Sequence, residues 1–232
     1  MTEYYLLDPV ADPEIIGVAN FEAQLKIVID DFYEPSNYEQ LIKYLGSNYF
    51  WENQTPVCEL GLEIERVRLV NNAKMTDFMR ISPSLMGIRY VVSAGVKNVL
   101  CNYIGAKDIF FDAKLSVEGE EEIVSLLYVE NLNPEFIDFK NSTFRTGDEF
   151  MGFESVRFDN LTEKNQFEKE NYSLGPEVLT LKASMDDQHI LNIYGQLYVS
   201  RELQGKLGNM GLSGIKYVCA DGTEINRGIP EV

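Results

Sequence analysis

The spacing of apolar and polar residues changes several times along the chain, and each spacing predicts a type of element. Residues 3–8 read as a short strand, and the alternation over residues 25–29 predicts a second one. Ser36 with Glu39 three positions later has the form of a capping box, so we expect a helix to start there and to end at Gly46. Further strands are predicted at residues 63–70, 123–129, 136–139, 156–158 and 178–183.

A strand, a helix and a second strand follow one another in two segments, at about residues 88–117 and 197–219. In both segments the first strand ends in a Val-Ser dipeptide. We expect Ser93 and Ser200 to cap the two helices by accepting a backbone N–H bond, which is worth roughly 1 kcal/mol. The two segments align if one residue is skipped at Ile104, with low identity that fits duplication and convergence equally well.

Strands outnumber helices in this pattern, and no linker rich in Pro, Gly or Ser divides the chain. We therefore predict an α+β protein with a mixed, mostly antiparallel sheet and few helices, containing the two strand-helix-strand units. A length of 232 residues suits one compact domain. That domain can have two lobes, an N-terminal one over residues 1–82 and a second one over residues 83–232.

The chain is strongly acidic, with 37 Asp and Glu against 20 Lys and Arg and a net charge of -17. Such a field repels phosphates and anionic head groups, so nucleic acids and membranes are disfavoured as partners and a basic protein is favoured. Solubility alone also explains an acidic surface. We expect neither a signal peptide nor a transmembrane helix. The scattered Cys58, Cys101 and Cys219 are typical of reduced thiols, which favours a cytoplasmic protein.

Histidine and cysteine, which often carry catalysis or bind metals, are sparse in this sequence. His189 is the single histidine, which is too few for a His-rich zinc site, and we expect it at a strand edge. A catalytic triad would need a nucleophilic serine beside it. Glycines at positions 205, 208, 211 and 214 lie in and after a predicted helix, whereas a nucleotide-binding loop opens one. We therefore predict no catalytic residue, no cofactor and no metal.

One cluster of carboxylates and one single carboxylate remain as candidate functional residues. Glu118, Glu120, Glu121 and Glu122 lie between two predicted strands and are our candidate partner-binding residues, with a solvated turn as the structural alternative. Asp138 stands among apolar residues, a setting that would suit a catalytic acid. It would equally suit a carboxylate that accepts hydrogen bonds from a turn or pairs with a nearby arginine, and we favour this structural role.

Two segments of the chain carry a resemblance to a known family. The first contains Leu-Tyr-Val-Glu at 127–130, Phe-Ile-Asp-Phe at 136–139 and Ser-Thr-Phe at 142–144. The second runs from Leu-Tyr-Val-Ser at 197–200 to Gly-Leu-Ser-Gly-Ile-Lys-Tyr at 211–217. Over roughly residues 85–220 the chain resembles a bacterial family of polymorphic-toxin immunity proteins, long classed as a domain of unknown function. Asp138 and Ser142 match its Ile-Asp pair followed by Ser.

The resemblance implies a non-enzymatic protein that binds and neutralises a toxin domain in the cytoplasm of the bacterium that makes it. The charge of the chain adds that this toxin is basic, as a nuclease would be. Two alternatives stay open. One is a carboxylate-dependent enzyme that uses Asp138 or the Glu118 to Glu122 cluster, and the other is a scaffold that binds a different protein.

Overall fold

The computed structural model describes residues 4–19, 22–46, 57–85, 87–104, 109–117, 120–148, 150, 152–171, 174–182, 188–193, 195–218 and 224–227. The strands in these ranges are β1 Tyr4–Pro9, β2 Leu25–Lys26, β3 Arg66–Leu69, β4 Phe78–Leu85, β5 Ile88–Val92, β6 Ile109–Val117, β7 Glu120–Tyr128, β8 Thr143–Asp148, β9 Gly152–Val156, β10 Gly175–Leu181, β11 Ile190–Ile193, β12 Gln196–Ser200, β13 Ile215–Val218 and β14 Glu224–Arg227. The helices are α1 Pro13–Ile16, α2 Pro35–Leu45, α3 Ala94–Leu100, α4 Leu161–Glu170 and α5 Arg201–Gly208. Most strand pairs are antiparallel, which confirms the predicted α+β class.

Six strands close into a barrel in the order β2-β3-β6-β7-β5-β4. Two of the pairings, β2 with β4 and β3 with β6, are parallel. Alternate residues of each strand face inward, and Val67, Met79 and Leu126 are among the buried side chains of this core. Helix α2 covers the same core with Leu41 and Leu45. None of the helices in the described ranges is long and apolar enough to cross a membrane.

The other eight strands form two four-stranded sheets. We call the sheet of order β11-β12-β1-β13 the central sheet and the sheet of order β14-β10-β8-β9 the outer sheet. Tyr4 and Tyr198 of the central sheet pack against Phe144 of the outer sheet in a second core. The alternate residues of those strands face the other way, so that Leu7 and Val199 join a third core with the barrel, α3 and α5.

The two predicted strand-helix-strand units have the same topology. In the first, the β4–β5 hairpin is followed by α3 and β6, and β7 lies between β5 and β6. In the second, the β11–β12 hairpin is followed by α5 and β13, and β1 lies between β12 and β13. The two helices contact each other, so the units face one another across the third core.

The strand registers define which residues of the two units are equivalent. Leu127 of β7 pairs with Phe110, and Leu7 of β1 pairs with Tyr217 in the same way. Phe110 and Tyr217 are 107 positions apart, as are the capping serines. The predicted skip at Ile104 is therefore wrong, since the units align there without a gap. Both members of six equivalent pairs belong to the third core, namely Phe78/Ile190, Tyr90/Leu197, Val92/Val199, Val96/Leu203, Leu100/Leu207 and Leu127/Leu7.

Three other expectations differ from the structure. The boundary between residues 82 and 83 falls inside β4, and the barrel combines strands from both proposed lobes, so the strand pairing does not follow that division. Helix α2 begins at Pro35, and Glu34 rather than Ser36 is at its N-cap, because the fixed φ of proline suits the first helical position. Residues 136–139 do not form a strand. Two 3-10 turns, Pro134–Phe136 and Phe139–Asn141, frame a single β-bridge there.

Candidate protein-binding surface

The predicted acidic residues lie at one end of the long β6–β7 hairpin. Nine residue pairs join the two strands, from Ile109 with Tyr128 to Val117 with Glu120. Strand β3 pairs with β6 only at Lys114 and Leu115, so the hairpin continues past β3. The side chains of Glu120, Glu121 and Glu122 are exposed there. Glu118 lies outside the described residues.

The acidic cluster is divided between the two faces of β7. Glu121 points to the outside of the barrel, where it pairs with Arg66 at 2.9 Å and with Lys114 at 3.3 Å. Ion pairs this exposed are worth about 0–1 kcal/mol. Glu120 and Glu122 lie on the opposite face of the strand. The charge of Glu121 is therefore compensated within the molecule, and Glu120 and Glu122 are the better candidates to meet a partner.

Next to the hairpin, the outside of the barrel carries exposed apolar side chains. Tyr33 is 89% exposed, and its backbone N–H donates to Glu65 Oε2 at 2.9 Å. The carbonyl of Glu65 accepts from the N–H of Lys114, and Lys114 lies directly across from Ile123, which is 56% exposed. These contacts make one continuous surface, which we call the barrel face. It consists of Tyr33, Glu65, Arg66, Arg68, Lys114, Glu121 and Ile123.

Each cation of the barrel face has a carboxylate partner. Arg66 and Lys114 share Glu121, and Arg68 donates to Asp31 through Nε at 2.8 Å and Nη2 at 2.6 Å. The hydrogen bond to Asp31, together with its charge, raises the pKa of Arg68. The aromatic and aliphatic side chains of this face thus stand among fixed, paired charges.

A second polar network lies further along β6 and β7. Burial raises the pKa of Asp112, but hydrogen bonds from Lys97 and Ser125 outweigh burial and place that pKa below its ordinary value. Lys97 Nζ lies 2.6 Å and 2.7 Å from the two carboxylate oxygens. This network ties α3 to the outside of the barrel.

Ser93 and Ser200 occupy the N-caps of α3 and α5. Ser93 Oγ accepts from the N–H of Val96 at 3.5 Å, and Ser200 Oγ accepts from the N–H of Leu203 at 3.3 Å. His189 lies just before β11, and its Nδ1 is 2.9 Å from Ser200 Oγ. Sequence reasoning did not foresee this Ser–His contact. Because Ser200 is only 3% exposed, its hydroxyl is enclosed as a cap and is not presented to solvent as a nucleophile would be.

The two family-motif residues stabilise a turn. Asp138 caps the 3-10 turn Phe139–Asn141, where its carboxylate accepts from the backbone N–H of Asn141 at 3.3 Å and from Asn141 Nδ2 at 2.7 Å. The hydroxyl of the fully buried Ser142 donates to the carbonyl of Asp138 at 2.6 Å and accepts from the N–H of Thr180 at 2.9 Å. This is the structural role favoured for Asp138.

A groove of about 670 Å³ runs past this turn, between the two 3-10 turns and the start of α4. Phe136 is 37% exposed beside it. Three carboxylates and two amines also line it, from Glu135, Asp138, Asp159, Lys140 and Lys182. Asp138 therefore lies at a groove that other acids share, which is one of the features that the enzyme alternative requires.

The β8–β9 hairpin is a surface that the sequence analysis missed. Phe150 at its tip is 99% exposed and Phe153 on β9 is 52% exposed. Glycines at 147 and 152, both with positive φ, flank the tip. Two glycines around Asp-Glu-Phe-Met, between segments of strand character, are a hairpin signal that could have indicated it.

Within the described ranges, no three or more His, Cys, Asp or Glu residues are grouped so that they could hold a metal ion. A scan against protein-family models finds no match for this chain, and a search of curated proteins finds none either.

Proposed function

We propose that this chain is an immunity-type protein that binds and neutralises a basic toxin domain in the bacterial cytoplasm and catalyses no reaction. The observation that carries the proposal is the barrel face, where the exposed side chains of Tyr33 and Ile123 stand beside the acidic end of the β6–β7 hairpin. The resemblance over roughly residues 85–220 and the net charge of -17 support the same function.

The chemistry of the barrel face suits a basic protein partner. An exposed tyrosine offers a large contact area at low entropic cost and is a common anchor of protein interfaces. The three cations are already paired, so they oppose a positively charged partner less than free cations would. Glu120 and Glu122 lie on the other face of the hairpin, where it continues past β3, and can meet lysine or arginine side chains of a partner that reaches around the end of the hairpin.

Electrostatic steering would make this association fast and sensitive to salt. The test is co-expression with the toxin domain encoded by the neighbouring gene, followed by co-purification, growth rescue and titration calorimetry at low and high salt. We expect tight binding that weakens as the salt concentration rises. Failure to bind and to rescue growth would overturn the proposal.

Charge reversal locates the interface. We expect the double variant Glu120→Lys, Glu122→Lys to bind at least about tenfold more weakly, because two attractive contacts become repulsive. The matched control is the double variant Glu22→Lys, Glu170→Lys, which makes the same change in net charge at two exposed positions away from this hairpin. If both double variants weaken binding equally, net charge and not the hairpin is responsible.

The groove beside Asp138 supports a second candidate function, a carboxylate-dependent enzyme. Neutralisation of the toxin would then depend on a reaction that this chain catalyses, and binding of the toxin alone would not be sufficient. Under this alternative, Asp159→Asn would abolish growth rescue while the toxin is still bound. Under the proposed function, rescue follows binding, so this variant should rescue growth as the unmodified chain does.

A further inference from the structure

We propose that the edge of β9 to which no described strand pairs, called the free edge below, is a docking site for an extended, basic segment of a protein partner, which adds to the outer sheet as a fifth strand. The inference rests on the proposed function, because it takes the partner to be the toxin domain. It concerns a surface on the outer sheet, separate from the barrel face.

Strand β9 ends the outer sheet. It pairs with β8 from Phe144 with Val156 to Asp148 with Gly152, and no other described strand pairs with it. Its first four residues are all exposed. In an antiparallel strand, every second residue turns its N–H and C=O away from its neighbour, so an edge strand offers hydrogen-bonding groups to an incoming chain.

The edge of β9 has little of the usual protection against pairing. Natural edge strands are short, carry charged side chains, above all lysine, or contain a proline or a bulge, and each of these opposes strand addition. In β9 this protection is limited to the length of five residues and to Glu154. The sequence of β9, Gly-Phe-Glu-Ser-Val, has neither lysine nor proline, and its pairing with β8 runs without a register shift. In the central sheet, by contrast, the edge strand β11 is buried along its whole length and the other edge strand, β13, carries Lys216.

The side chains of β9 indicate which segment would fit. Phe153 lies on one face, where the guanidinium carbon of Arg145 is 4.6 Å from its ring centroid. Glu154 lies on the other face and is the single charged residue of the strand. An added strand places alternate side chains beside these two, so the segment should present an apolar side chain to Phe153 and a lysine or arginine to Glu154.

The tip of the hairpin extends the same surface. A side chain at Gly147 would bring its Cβ into a steric clash with the carbonyl oxygen of Gly152, so the close approach of the two strands at the tip requires glycine there. Phe150 lies three positions later, and its N–H donates to Asp148 Oδ1 at 2.8 Å. This bond fixes the backbone of Phe150 at the tip of the hairpin, where its exposed ring can contact the segment that β9 binds.

The test is backbone hydrogen–deuterium exchange of the full chain, free and in complex with the toxin domain encoded by the neighbouring gene. We expect exchange in residues 152–156 to slow at least about tenfold in the complex. We also expect Phe153→Lys and Glu154→Lys to weaken binding about tenfold or more, since each places a lysine on the edge. The control is Thr162→Lys, at an exposed position on α4, which should bind as the unmodified chain does. Thermal unfolding of each variant checks that the fold is retained.

The outcomes separate this inference from the proposed function. A complex in which residues 152–156 exchange as in the free chain overturns the strand-addition site and leaves the proposed function standing. Absence of any complex overturns both. Exchange in β9 that slows with the concentration of the free chain, without toxin, shows that a second copy occupies the edge, and this also overturns the inference.

Discussion

Asp77 and His189 hold the same position in the two equivalent units. The carbonyl of each accepts from the N–H of the capping serine that faces it, at 3.0 Å from Ser93 to Asp77 and at 2.9 Å from Ser200 to His189. The serine hydroxyl is also within hydrogen-bond distance of each side chain, at 2.8 Å from Asp77 Oδ1 and at 2.9 Å from His189 Nδ1. Each residue therefore fixes the start of the helix in its own unit.

The same two residues also join the units to each other. Asp77 Oδ2 accepts from the backbone N–H and the hydroxyl of Ser213, both at 2.8 Å, and Ser213 lies between α5 and β13. The ring of His189 packs edge-on against Tyr103, just after α3, with 5.0 Å between the ring centroids. Each unit thus contacts the segment that follows the helix of the other unit. The Asp77–Ser213 contact and the His189–Tyr103 contact are therefore equivalent, as the two units are.

Removing either capping serine should destabilise the protein. We expect Ser93→Ala and Ser200→Ala each to lower the free energy of unfolding by about 1 kcal/mol, because a helix N–H loses its acceptor. Urea unfolding followed by circular dichroism measures the change. Ser116→Ala, at an exposed position of β6, is the control and should have little effect. Two capping variants as stable as the control would contradict the role of the caps.

Asp77 should make stability depend on pH. Burial raises its pKa, but hydrogen bonds from Ser213 and Ser93 outweigh burial, so the pKa lies below its ordinary value. The stability that the ionised form contributes is therefore present above the unfolded pKa of about 3.9 and is lost as pH falls through the lower folded pKa. We expect Asp77→Asn to cost about 1–3 kcal/mol at neutral pH. The difference from the unmodified chain should shrink below a pH of about 4.

Unfolding in urea at several pH values tests this prediction. Glu120→Gln is the control, because Glu120 is exposed at the end of the hairpin. A loss in Asp77→Asn that stays constant down to acid pH would show that the charge of Asp77 is not what stabilises the fold.

Replacing Tyr217 with phenylalanine should stabilise the folded protein. Its hydroxyl is buried and has no hydrogen-bond partner among the described residues, and burial raises its pKa to about 12. Tyr217→Phe removes this unsatisfied group and should raise the free energy of unfolding by about 1 kcal/mol.

The raised pKa of Tyr217 has a further consequence at alkaline pH. The folded chain keeps a proton that the unfolded chain releases, so stability falls as pH rises from the ordinary value of 10.0 to about 12. Tyr217→Phe should remove that part of the fall. Unfolding at alkaline pH measures it, and an unchanged pH dependence would show that Tyr217 is not responsible.

The interface between the units can be tested at one equivalent pair. Leu100 and Leu207 are both fully buried in the third core. We expect Leu100→Ala and Leu207→Ala each to cost about 2–5 kcal/mol in unfolding, with similar values because the sites are equivalent. Met210→Ala, where the side chain is 42% exposed, should cost much less. A large loss at one leucine alone would indicate that the two positions do not share one environment.

Local patterns predicted much of the secondary structure. The Val-Ser endings were informative because a cap depends on residues within one turn of the helix. The position of β1 was not predictable in the same way, since nothing in residues 4–9 specifies partners about two hundred positions later. The contact between His189 and Ser200 was harder to predict than a helix cap and easier to predict than the pairing of β1. Ile190 pairs with Val199 in a hairpin, so recognising the connection between β11 and β12 as a turn would have placed the two residues together.

The carboxylate predictions were limited for a related reason. The sequence indicated the exposed hairpin end, but the pairing of Glu121 with Arg66 depends on the contact between β3 and β6. The same contact brings Tyr33 and Glu65 beside the hairpin. Contacts between strands far apart in sequence therefore decide which of the acids are already compensated.

The position of β1 has a consequence for synthesis. This strand leaves the ribosome long before its neighbours in the central sheet, which are residues 197–200 and 215–218. At about 5–20 residues per second, residues 4–9 wait roughly 10 to 40 s before their partners exist. During that time Tyr4, Leu6 and Leu7 have no sheet to join, so this apolar segment stays open to other contacts until the later strands have been made.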